Sequence, residues 1–70
     1  MVAAVMTPSD QKRRRRRARI NLSEVARRLD ISIGALSQYE NEKTPLPFAL
    51  TPEDYERELQ NAIRAKERGL

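Results

Sequence analysis

The sequence predicts a small all-α domain, and three observations predict it. Residues 21–47 carry two helix-start signals in close succession, Thr51 opens a third and stronger one, and an arginine-rich run of good helix formers precedes them. In the first signal Asn21 stands as the cap with Glu24 three residues on, the pattern of a capping box. Ile20 and Val25 flank that cap as a hydrophobic staple. In the second signal Ser32 is the cap, with Ile31 and Leu36 as the staple pair. Only Asp30 and Ile31 separate the first helix from the second cap, so the chain turns sharply there. Two helices joined so tightly cross steeply, as a helix-turn-helix.

The bounds of the chain agree with one thin-cored domain. It has 70 residues, four prolines and two glycines, and lacks cysteine and histidine. Disulfide staples and the usual zinc sets are therefore excluded, and burial of more apolar surface by dimerisation is a natural remedy. The net charge of +4 is unevenly placed. Residues 1–20 hold seven bases against one acid, whereas the remaining two-thirds of the chain is slightly acidic. A basic arm, residues 1–19, is attached to a nearly neutral body, residues 20–70.

Residues 1–6, MVAAVM, form an apolar run ahead of the positive charges. That order is the reverse of a secretory signal, and the run is too short to span a bilayer; disorder is expected. Residues 12–19, KRRRRRAR, can form a helix capped by Ser9 or Asp10. Only Ala18 and Ile20 offer apolar contact there. The segment is therefore either a helix held loosely through its arginine stems or an arm that stays unfolded until a polyanion arrives. A solvated charge run is the blander reading. Phosphate is the counter-charge expected on physical grounds, because arginine binds it bidentately and releases counterions in doing so.

Along the next two helices Val25, Ala26 and Leu29 share one face, as do Leu36 and Tyr39. Ile33, Gly34, Ser37 and Gln38 lie on the outward face of the second helix. Capping and periodicity alone fit an ordinary helical hairpin in a small bundle equally well. After residues 40–43 the sequence Thr44-Pro45-Leu46-Pro47 forces an extended exit. Phe48, Ala49 and Leu50 then form an apolar segment expected to lie over the core. Thr51-Pro52-Glu53-Asp54 is a strong helix start, with a capping Thr, Pro at the first position and acids in the first turn. This last helix should run to about Arg68, with Gly69 as terminator. Its stripe is Tyr55, Leu59, Ala62, Ile63 and Leu70, and Glu53 with Arg57 should pair on the wet side.

The middle segment resembles the helix-turn-helix of the Cro/lambda-repressor-like (XRE-type) family. The residues that carry the likeness are Val25-Ala26, Arg27-Arg28-Leu29, Ile31-Ser32, the run Gly34-Ala35-Leu36-Ser37-Gln38-Tyr39-Glu40-Asn41, and Lys43 with Pro45. Three positions depart from the family pattern. Asp30 stands for the turn glycine, Glu42 for the glycine after the recognition helix, and Leu22 for a polar residue that often meets DNA phosphate. The resemblance implies a DNA-binding transcriptional regulator of bacterial or phage type, with residues 33–41 in the major groove. On that analogy Ile33, Gly34, Ser37 and Gln38 contact bases, Gln38 as a bidentate partner of adenine. Arg13, Arg14, Arg15, Arg16, Arg17, Arg19, Asn21, Ser32, Asn41 and Lys43 contact phosphates. The segment around residues 50–55 and 63–69 is also similar to the part of MerR-type proteins that follows the wing, but ten residues, 41–50, are too few for a wing.

Catalysis has little to stand on, since no glycine-rich phosphate loop and no nucleophile beside a base are written in the sequence. No cofactor or metal is expected. The partners expected are double-stranded DNA and, through the last helix, a second copy of the chain; no membrane is expected. A small protein-interaction module, using the same scaffold on a protein partner, is the alternative, favoured by Leu22, Ile33 and Glu42. The expected location is the cytoplasm, with the nucleoid.

Overall fold

The computed structural model describes residues 7–69; the MVAAVM run, residues 1–6, and Leu70 of the α4 stripe lie outside the described residues. The architecture is all-helical among the described residues: α1 is Pro8–Arg17, α2 Leu22–Leu29, α3 Ile33–Glu40 and α4 Pro52–Gly69. One core joins them. Ile20, Val25, Ala26, Leu29, Leu36, Tyr39, Leu46, Tyr55, Leu59 and Ala62 are buried together, with Ala18, Leu22, Ile31, Leu50 and Ile63 packed at its margin. The inward faces expected of α2, α3 and α4 are therefore the faces that are buried.

Helix starts follow the sequence with two corrections. Ser32 caps α3 as expected, its hydroxyl accepting from the Ala35 amide at 3.0 Å. Thr51 and Asp54 form a reciprocal box at the head of α4, the Thr51 amide donating to the Asp54 carboxylate at 2.8 Å and the Asp54 amide to the Thr51 hydroxyl at 3.2 Å. The first correction is at α2, where Asn21 makes no side-chain capping bond. Glu24, its supposed partner, is drawn away to Arg27 at 2.6 Å and Arg28 at 2.7 Å. Two charge-assisted bonds outweigh one bond to a backbone amide. The second correction is at α1, which is capped by Thr7 rather than Ser9 or Asp10; Asp10 is the reciprocal member of the box, and Pro8 opens the helix.

Three helices end the same way. At each exit one residue is left-handed: Arg19, Asp30 and Glu42, with φ of 60°, 59° and 60°. The next amide reaches back to the carbonyl five residues earlier: Ile20 to Arg15, Ile31 to Ala26 and Lys43 to Gln38, at 3.1, 3.0 and 2.9 Å. This is the Schellman ending, built three times without a glycine. Asp30 suits it best, because short polar side chains tolerate that backbone.

The link between α3 and α4 departs from expectation. Phe48 and Ala49 were expected over the core, yet Phe48 is 82% exposed and both residues are left-handed. Leu46 is buried in their place, with Leu50 half-buried. Two successive left-handed residues reverse the chain and swing the Phe48 ring outward. On α4 the expected Glu53–Arg57 pair is replaced by Arg57 with Asp54 at 2.7 Å, since one turn back the capping carboxylate is nearer.

Candidate nucleic-acid interface

Of the two readings open for the arginine-rich stretch, a helix or an unfolded arm, the structure has the helix, from Pro8 to Arg17, and it packs on α3 and α4. It does so with polar groups. Gln11, Arg14, Arg15 and Ala18 recur at helical spacing and make up its inner side. Gln11 is fully buried. Its amide nitrogen donates to the Pro52 carbonyl at 3.2 Å and to Glu56 at 2.9 Å, and its carbonyl accepts from the Tyr39 hydroxyl.

Arg15 is the centre of this arrangement. Only 8% exposed, it grips Glu40, itself 2% exposed, with Nε at 2.8 Å and Nη2 at 3.0 Å from the two carboxylate oxygens. Its Nη1 donates to the Ile20 carbonyl at 2.8 Å, and the Tyr55 hydroxyl donates to Glu40 from the α4 side. Burial works against the charge on Arg15, but the hydrogen bonds and charge of Glu40 outweigh it and hold the guanidinium more firmly protonated than usual. Burial raises the Tyr39 hydroxyl to about 12, with the charges of Glu56, Glu53 and Glu40 adding to the rise. Tyr55 is raised by burial and then by its bond to Glu40. No buried side-chain nitrogen or oxygen among the described residues lacks a partner. A fork-to-fork ion pair in which every buried nitrogen and oxygen has a partner is the form in which a buried charge pair is tolerated.

The assignment of ten phosphate-contacting residues is corrected accordingly. Arg15 cannot serve, because it is buried and its guanidinium is held by Glu40 and the Ile20 carbonyl. Arg14 also points inward, to Glu56 and to Gln60 at 2.7 Å. Arg13, Arg16, Arg17, Arg19 and Lys43 are exposed, as are Asn21, Ser32 and Asn41. Among the described residues no carboxylate oxygen lies within ion-pairing distance of Arg16, Arg17, Arg19 or Lys43, and Arg13 has only Asp10 at 3.8 Å.

The outer face of α3 is a contrast to its inner one. Leu36, Tyr39 and Glu40 are buried, whereas Ile33, Gly34 and Gln38 are exposed and Ser37 is half-buried. The Gln38 side chain has no hydrogen-bond partner among the described residues. At Gly34 an added Cβ would meet nothing within 4 Å, so packing does not require glycine there. Ser37 accepts a long bond from Asn41 at 3.5 Å, and Asn41 accepts from Lys12 of α1 at 2.9 Å. That chain of contacts joins the outer edge of α1 to the last turn of α3.

The residues that pattern reading missed are Gln11, Arg15, Glu40 and Glu56. The signal was present: positions 11, 14, 15 and 18 have the period of a buried helix face, but three of the four are polar. No helix among the described residues is long and apolar enough to cross a membrane, and no cluster of three or more metal-ligating side chains occurs among them. No family model, curated protein or solved structure matches the chain.

Proposed function

We propose that the protein is a sequence-specific, double-stranded-DNA-binding transcriptional regulator that lays the outer face of α3 in the major groove. The observation that carries this reading is the division of α3. Its inner side is fixed by the core and by the Glu40–Arg15 clamp, while Ile33, Gly34 and Gln38 face outward without internal obligations. A rigid helix with an unoccupied polar edge is what base readout needs. Gln38 is suited to adenine, Ser37 to a base or a phosphate, and Ile33 to a thymine methyl. Gly34 allows close backbone approach. Ser32, Asn21, Asn41, Lys43 and the outward arginines would supply backbone contacts.

Site selection from a random duplex pool tests the reading. A preferred sequence should emerge, and Gln38→Ala should weaken binding to it by about 1–3 kcal/mol while melting is unchanged, the cost of one bidentate base contact. An unenriched pool overturns the regulator, and an enriched one indifferent to Gln38 overturns the docking of α3.

One observation favours a second reading, a protein-interaction module. Phe48 is 82% exposed and Ile33 51%, and exposed large apolar side chains suit a protein partner better than phosphate. Phe48→Ser would then abolish capture of that partner and leave duplex binding as it was.

A further inference from the structure

Seven of the first twenty residues are basic, yet the helix they form has two unlike sides. Gln11, Arg14 and Arg15 turn inward and are consumed by Glu56, Gln60 and Glu40. Ser9, Lys12, Arg13 and Arg16 fall at helical spacing on another side and together line a shallow recess of about 330 Å³. Arg13 has a side chain 71% exposed and only a loose contact to Asp10 at 3.8 Å. Lys12 uses one of its three donors on Asn41, at 2.9 Å, which ties this side of α1 to the end of α3. Arg16 has no carboxylate partner among the described residues.

We infer that Ser9, Lys12, Arg13 and Arg16 form a preformed rail for the phosphate backbone of nucleic acid, and that the inward arginines of the run, Arg14 and Arg15, contribute nothing to polyanion binding. For its ligand the inference rests on the duplex-binding reading above. Its physical basis is separate. A flexible arm must be ordered on binding, whereas this helix is already held by Gln11, Arg14 and Arg15, so its cations stand in place before the ligand arrives. Three cations with a hydroxyl beside them match successive phosphate oxygens, and each phosphate neutralised releases condensed counterions. The inward arginines release none, because a carboxylate already neutralises them.

The test uses the full chain and a mixed-sequence duplex, titrated at several salt concentrations. Lys12→Ala, Arg13→Ala and Arg16→Ala should each flatten the slope of log K against log salt by about one, and the triple variant by about three, with melting midpoints unchanged. Arg64→Ala, an exposed arginine on α4, should leave the slope as it is. Arg14→Ala should lower the melting midpoint and also leave the slope alone. Equal flattening by Arg64→Ala would overturn the rail, because bulk charge would then explain the binding. So would a wild-type protein that ignores the duplex but binds vesicles rich in an anionic phospholipid. The random duplex keeps the two readings apart. A slope carried by the rail without any preferred sequence retains the rail and removes the regulator, and a preferred sequence with a slope indifferent to the rail does the reverse.

Discussion

α1 and α4 begin with the same four-residue grammar, Thr7-Pro8-Ser9-Asp10 and Thr51-Pro52-Glu53-Asp54, yet they dock on the rest of the fold by opposite means. α4 presents Tyr55, Leu59 and Ala62, all buried, and needs little but shape. α1 presents Gln11 and Arg15, also buried, and needs a named acceptor for every donor. The first mode tolerates any apolar residue of the right size, whereas the second fails if one partner is lost. The difference teaches that a helix with no apolar stripe can still be part of a core.

The sharpest break in the comparison should come from α4. Leu59→Asp places an unpaired carboxylate in a fully buried site, and the protein should lose its cooperative melting transition altogether. Survival of that transition would mean that α4 is not the main wall of the core. The polar mode should yield next. Glu40→Ala leaves the buried Arg15 charge uncompensated and should cost about 3–5 kcal/mol in denaturant titration. Glu40→Leu combined with Arg15→Met and Tyr55→Phe should restore most of that loss, since a buried pair can be exchanged for apolar residues of similar size once the Tyr55 hydroxyl is not left unpaired.

Alkaline pH should separate the two modes further, because both tyrosines have hydroxyls in the polar network. Tyr39 ionises near 10 when unfolded and near 12 when folded, so its contribution is complete below pH 10 and is lost as pH rises toward 12. Tyr55 is shifted in the same direction. The melting midpoint should therefore fall through that window, and tyrosinate absorbance should rise together with loss of helicity rather than before it. Absorbance that rises while helicity holds would place the hydroxyls outside the core.

The smallest effects belong to the backbone. Glu42→Gly should stabilise the protein by up to about 1 kcal/mol, because glycine adopts the left-handed exit without the steric penalty but gives back some unfolded-state entropy. Gly34→Ala should stabilise α3 by about 0.5–1 kcal/mol, since nothing in the fold occupies the space of its Cβ. A duplex-binding defect accompanying that gain would locate the close approach at Gly34.

What could be read from the sequence follows the same division. The helices of residues 22–40, the Ser32 cap, the Tyr55–Leu59–Ala62 stripe and the start of α4 all announce themselves by apolar period or by capping residues. The docking of α1 does not. Periodicity treats arginine and glutamine as solvent-facing, and the fact that Arg15 meets Glu40 depends on a contact between residues 25 apart in sequence. The Thr7 cap was legible, since the same four-residue signal is decisive at Thr51. Phe48 was misplaced for a different reason: two left-handed residues in succession, neither glycine, have no local signature. The outward set on α3 is legible as a face, whereas what that face binds is a matter for the pool selection.

The three helix exits at Arg19, Asp30 and Glu42 have a consequence for how the chain can come apart. Two of them, at Arg19 and Glu42, oppose the preference of their own residue, and such a corner is held in shape by the helices packed around it. A peptide of residues 20–43 should lie open in water despite carrying both central helices. Within the whole chain, Lys66 of α4 donates to the Ala18 and Arg19 carbonyls at 3.0 and 3.1 Å, so release of α4 should loosen the first corner, and protease cleavage there should report that release rather than local fraying.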